Sequence, residues 1–138
     1  MTLYMKKYII AAAAVLTAIS VSAQDYVSNR PAPENRLFES QAVENEIVKV
    51  SSLLTNPKLA WMFANCFPNT LDTTVHFGKD EDGNWRTFVY TGDIHAMWLR
   101  DSGAQVWPYV RFAKEDEHLR NLLAGVINCQ FSLICHDP

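Results

Sequence analysis

A chain of 138 residues, 49% hydrophobic and 20% charged, has an ordinary globular composition with no low-complexity tract. The formal net charge of −3 and the lack of a basic stripe argue against a nucleic-acid partner. Aromatics make up 12% of the residues, most of them between Trp61 and Phe112, a density shared by ordinary cores and by sugar-binding clefts.

Residues 1–23 read as a signal peptide. Lys6 and Lys7 form a positive start, Tyr8 to Ile19 is apolar and Ala-rich, and Val21-Ser22-Ala23 ends in the small residues of a cleavage site. The apolar run is short for a membrane span, which needs about 20 residues. The expectation is an exported protein, periplasmic or extracellular, with no stable membrane anchor after cleavage. Residues 24–138 then form the mature part. Of its three cysteines, Cys66, Cys129 and Cys135, the last two fall on different faces of a helix, and no spacing suits zinc, so buried free thiols are expected.

Residues 24–38, with Pro31 and Pro33, read as an extended lead-in. Val43, Ile47, Val50 and Leu54 then step by four, three and four along one face of a helix. Asn56-Pro57 starts a second helix, Asn as N-cap and Pro in the first turn, with Leu59, Met62, Phe63 and Cys66 as its apolar stripe. Thr73 to Phe77 and Trp85 to Tyr90 are β-branched and aromatic, and the polar segment between them makes a hairpin, with Asp80, Glu81 and Asp82 at its wet tip. A helix from about Asp101 to Phe112 should bury Val106, Tyr109 and Val110 and bend at Pro108. The last helix begins near Asp116, with Leu119, Leu122, Leu123, Val126, Ile127, Phe131 and Ile134 in a three-four rhythm.

Chemistry concentrates in Thr91-Gly-Asp-Ile-His-Ala-Met-Trp-Leu-Arg-Asp-Ser102, between hairpin and helix. Asp93, His95, Arg100 and Asp101 alternate with Met97, Trp98 and Leu99. That mixture suits a hexose, whose C–H face stacks on an indole while its hydroxyls take charge-assisted hydrogen bonds from Arg and Asp. Each residue also has a structural reading: Asp101 as a helix cap or partner of Arg100, Trp98 as core, His95 as a hydrogen-bonded bystander, Asp93 as a turn residue. Two groups, Asp93 and His95, make no metal site, and neither metal nor cofactor is expected. Asn69, Thr70 and Asp72 offer a second polar wall or a hydrogen-bonded connection. Asn128 and Gln130 interrupt the last helix's apolar stripe or its edge, a placement open to facing a cavity.

Arg30-Pro-Ala-Pro-Glu-Asn-Arg36, Leu54 to Phe63, Asn65-Cys-Phe-Pro-Asn-Thr-Leu-Asp-Thr-Thr74, Thr91 to Tyr109 with its Met-Trp-Leu-Arg-Asp-Ser block, and Gly125-Val-Ile-Asn128 together resemble the opening of glycoside hydrolase family 125. The resemblance implies an all-α fold, the N-terminal part of an (α/α)6 barrel (six-hairpin glycosidase) with one β-hairpin and therefore an incomplete domain. It implies an exo-acting, inverting, metal-independent α-1,6-mannosidase acting on α-mannoside glycans. Inversion requires a carboxylic acid and a carboxylate base about 6.5–9.5 Å apart. In the family both come from later chain, so no catalytic residue is carried over. Arg100 and Asp101 are the leading contacts to a terminal mannose, backed by Trp98, His95 and Asp93.

The ending at Cys135-His-Asp-Pro138 has no natural helix cap, which leads us to expect a missing remainder. Apolar faces left bare each forfeit about 1.5–3 kcal/mol per large side chain, so the 138 residues alone are expected to be unstable and inactive. The competing readings are a non-enzymatic carbohydrate-binding domain and a small helical interaction protein.

Overall fold

The computed structural model describes residues 26–92 and 95–136; the expected signal peptide lies outside them, as does Asp93. A lead-in with a 3-10 turn at Pro33–Asn35 precedes helices α1 (Gln41–Leu53), α2 (Pro57–Cys66) and the short α3 (Asn69–Thr73). Strands β1 (Val75–Lys79) and β2 (Trp85–Val89) pair antiparallel, Val75 opposite Val89 and Lys79 opposite Trp85. Helix α4 (Leu99–Val106) runs into a 3-10 segment (Trp107–Phe112), and the long α5 (Glu117–His136) closes the described part. No helix among the described residues is long and apolar enough to cross a membrane.

Local chemistry sets the helix starts. The Asn56 side chain accepts from the backbone N–H of Lys58 and Leu59, with Pro57 in the first turn. Ser40 caps α1 by accepting from Val43 N–H, and its hydroxyl donates to Asp116 Oδ2 at 2.6 Å. The other oxygen of Asp116 accepts from Leu119 N–H at 3.0 Å in the first turn of α5, so one Ser–Asp pair ties two helix N-termini together.

The core lies between α5 and the hairpin. Val75, Thr87 and Val89 are buried beside Leu119, Leu122, Val126 and Cys129 of α5, with Val43, Ile47, Leu71, Tyr109 and Phe112 completing the cluster. Thr87 Oγ1 donates to the Leu122 carbonyl at 2.8 Å, and Asn128 Nδ2 donates to the Trp85 carbonyl at 2.9 Å, so α5 is pinned along β2 at two points. Tyr109 donates its hydroxyl to the Phe67 carbonyl; burial pushes its phenol up to about 12.

Several expected faces are rearranged. Leu59, Met62 and Cys66 of α2 are exposed, because that helix meets the core through Phe63 and Ala64, with Phe67 just beyond its end. Val110 is exposed and Phe112 takes its inward place, since the tighter 3-10 winding at Pro108 shifts the rotation of the segment. On α5, Leu119, Leu122 and Val126 are buried, but Ile127, Phe131 and Ile134 form an exposed stripe on another side. The one three-four rhythm therefore spans two different faces of the helix. Among the thiols only Cys129 is buried; Cys66 and Cys135 are exposed, and all three are free.

The lead-in is held by charge. Arg30 places Nε 2.7 Å from Asp72 Oδ2 and Nη2 3.0 Å from Asp72 Oδ1, and its Nη1 reaches Glu44 Oε2 at 3.0 Å. The hydrogen bonds from Arg30 hold the Glu44 carboxyl below its ordinary value, against the upward push of burial. For Asp116 burial also pushes upward and is outweighed by the Ser40 hydroxyl and the amides that open α5. Both carboxyls ionise more easily folded than unfolded, so their stabilisation is full above the ordinary carboxylate range and disappears as pH falls through the lowered folded values. Thermal melts should therefore show the midpoint dropping steadily below about pH 4.5. Glu44→Gln should flatten part of that drop; an unchanged acid slope would show that the Arg30–Glu44 contact contributes nothing to it.

Candidate functional site: the loop after β2

The loop after β2 is fastened at its two ends by one side chain. Thr91 N–H donates to the Ala96 carbonyl at 3.2 Å, the Thr91 hydroxyl donates to the same carbonyl at 3.2 Å, and that hydroxyl accepts from Trp98 N–H at 3.0 Å. Gly92 at φ +125° makes the reversal that brings these groups together, a conformation side chains resist. Met97 is the loop's inward anchor, buried with its sulfur against Val89 N–H.

The residues around that anchor point outward. Trp98 is 56% exposed. Arg100 and Asp101 leave the first turn of α4 with side chains 86% and 44% exposed, Arg100 Nη2 lying 3.2 Å from Asp101 Oδ2. The Asp101 side chain does not cap α4: its N-cap position is Trp98, which makes no side-chain cap hydrogen bond. His95 is exposed and stacks on Tyr90 with ring centroids 4.7 Å apart, its Nε2 hydrogen-bonded to the Tyr90 hydroxyl. Phe88 meets both rings edge-on.

Four of the five expected sugar contacts thus share one short outward segment: an aromatic surface at Trp98, an imidazole on an aromatic shelf, and a guanidinium beside a carboxylate. Asp93 is not described. Such a set can stack a hexose ring and hold adjacent hydroxyls through paired donors and acceptors. Among the described residues no three His, Cys, Asp or Glu side chains cluster as a metal site requires.

The second candidate wall is both a wall and a connection: Asn69 and Asp72 line a hollow of about 380 Å³ with Arg30, Trp61 and Asn65, and the polar groups of Asp72 and Asn65 also tie the lead-in down. Asp72 is 2% exposed and saturated by Arg30. Asn65 Oδ1 accepts from Asn29 N–H at 2.6 Å, and its Nδ2 donates to the Trp61 carbonyl. The supporting roles of Thr91 and Gln130 were not foreseen. A Thr-Gly pair at a strand end was the available signal for the first, and a lone amide on an apolar helix for the second.

Residues 56–138 match the model of a family described as metal-independent alpha-mannosidase, GH125. The chain belongs to glycoside hydrolase family 125. A relative of this family-125 chain is the meiotically up-regulated gene 157 protein of Schizosaccharomyces pombe, 43% identical over 109 residues, a stretch covering 79% of this chain and 21% of that protein. The fold is similar to a solved metal-independent alpha mannosidase of Streptococcus pneumoniae in non-productive complex with alpha-1,6-mannobiose, with TM-score 0.63 and 41% identity, covering 74% of this chain and 23% of that one. The chain therefore spans about a fifth to a quarter of the length of these two proteins. Its mostly helical structure with one two-stranded hairpin is that of part of such a domain.

Proposed function

We propose that these residues supply the mannose-facing opening segment of an exo-acting, inverting, metal-independent α-1,6-mannosidase. In full the domain is an (α/α)6 barrel, in which the exposed stripe Ile127, Phe131 and Ile134 is covered by further helices. The observation that carries the reading is the outward set Trp98, Arg100 and Asp101 on a loop clamped at both ends by Thr91, in a chain of family 125. Asp101 stands beside Arg100, an arrangement for gripping hydroxyls. The catalytic acid and base we place in the remainder of the family's domain, which leaves this segment inactive by itself. Lys6-Lys7, the apolar run to Ile19 and Val21-Ser22-Ala23 support export.

Titration with α-1,6-mannobiose, followed by tryptophan fluorescence, tests the reading. The exposed indole of Trp98 should report saturation. Arg100→Ala should weaken binding at least tenfold, since a hydrogen bond to a charged group contributes about 1.5–3 kcal/mol. Saturable binding that Arg100→Ala leaves intact removes this loop from the site. Binding by the whole protein without hydrolysis favours a non-enzymatic carbohydrate-binding domain, and silence favours a helical interaction protein.

A further inference from the structure

The turn that carries Arg100 and Asp101 is poorly supported from within its own helix. Trp98 at the N-cap has no side-chain oxygen to accept from the first amides of α4. The first turn of a helix without such a cap has unsatisfied donors and frays readily. Side chains that must meet a ligand in a fixed direction need that turn held by something else.

The hold does not come from satisfying those amides but from a donor that grips the turn's acceptors. Gln130, on α5 and 31 residues from Leu99 in sequence, donates from Nε2 to the Leu99 carbonyl at 3.0 Å and to Ser102 Oγ at 2.9 Å. Ser102 is fully buried, and its hydroxyl donates in turn to the Leu99 carbonyl at 3.1 Å. One amide thus grips the residues immediately before and after the Arg100-Asp101 pair. Gly103 lies beside this contact: a Cβ on it would stand 3.7 Å from Gln130 Nε2, an ordinary packing distance. A half-buried Gln in a helix lined by Leu, Val and Cys also has no packing advantage over an apolar residue of its size.

We infer that Gln130 is a positioning residue for the sugar site: it touches no sugar, and it fixes the direction in which Arg100 and Asp101 leave the first turn of α4. The inference rests on the sugar reading of that turn given above. The donor, rather than the bulk, of Gln130 is what matters, because both of its partners accept.

Two shape-preserving variants of the full-length protein test this. Gln130→Met keeps the length and loses the donor; Gln130→Glu keeps the shape and turns the donor end into an acceptor facing the Leu99 carbonyl. Both should raise the Kd for α-1,6-mannobiose about tenfold, since small displacements of binding groups are felt strongly. Both should lower the thermal midpoint by a few degrees for the lost donor and stay folded at the temperature of the titration. In both, hydrogen exchange at the Ser102 and Gly103 amides should accelerate severalfold. A role confined to packing would leave Gln130→Met equal to wild type in Kd and exchange, and that result overturns the inference. Faster exchange with an unchanged Kd overturns it too, by showing that the turn's hold is irrelevant to the sugar. A wild-type protein silent to mannobiose overturns the sugar reading itself and this inference with it, an outcome distinct from wild-type binding that the variants share.

Discussion

Arg30→Met should lower the unfolding free energy by about 3–5 kcal/mol, the range seen when one partner of a buried ion pair is removed. The reason is the carboxylate left behind. Asp72 has only 1% of its side chain exposed and takes both Nε and Nη2 of Arg30, at 2.7 and 3.0 Å. Arg36 is the nearest substitute, but its Nε stands 3.9 Å from Asp72 Oδ1 and is committed to the Pro31 carbonyl at 3.2 Å. With no partner, the buried Asp72 must be solvated by local opening, which loosens the lead-in from α1 and α3. A typical domain has about 5–15 kcal/mol to lose, so urea melts should show a much lower midpoint. The orphaned charge makes a second variant decisive. Arg30→Met with Asp72→Asn should recover at least half the loss, since a neutral amide tolerates the site better. A single variant within about 1 kcal/mol of wild type would mean that burial of this pair contributes little.

That ion pair also marks where sequence reading stops. Elements whose causes are local were legible: Asn56-Pro57 contains its own cap and first turn, Val43 and Ile47 carry the helical spacing, and the hairpin follows from two β-branched and aromatic runs around a polar tip. The outward placement of Trp98 and Arg100 follows from a loop in which Met97 is the anchored residue, an alternation that the mixed composition allowed without deciding. Contacts between distant residues were not legible. Nothing near Arg30 announces a partner 42 residues away, and nothing near Gln130 announces the turn at Leu99. Periodicity shows that a stretch is helical without showing which side is covered. Leu59 and Met62 are therefore apolar and exposed, and Ile127, Phe131 and Ile134 continue a rhythm that the described core does not use.

At Gly125 helix α5 packs tightly on β2, and Gly125→Ala is expected to cost about 3 kcal/mol. An added Cβ would lie 2.5 Å from Thr87 Oγ1, 2.9 Å from Thr87 N and 3.0 Å from the Arg86 carbonyl carbon. The last two are backbone atoms of a paired strand and have little freedom to withdraw. Moving helix and strand apart costs about 1–3 kcal/mol of packing strain. It also stretches the hydrogen bond from the fully buried Thr87 to the Leu122 carbonyl, leaving polar atoms short of a partner at about 1–3 kcal/mol. Alanine's better helix propensity returns only about 1 kcal/mol, so strain wins. Adding Thr87→Ala removes the nearest clash but not the backbone contacts, and should rescue stability only in part. The displacement also carries to the loop we propose faces the sugar. Asn128 and Gln130 sit within the next turn and a half of α5, and both reach their carbonyl partners, Trp85 and Leu99, only while that helix is seated against the strand. Gly125→Ala should therefore raise the Kd for α-1,6-mannobiose even at temperatures where the variant remains folded. A variant as stable as wild type and equally avid for the sugar would show that helix and strand can separate without consequence, and would break the link between the core packing and the direction of Arg100 and Asp101.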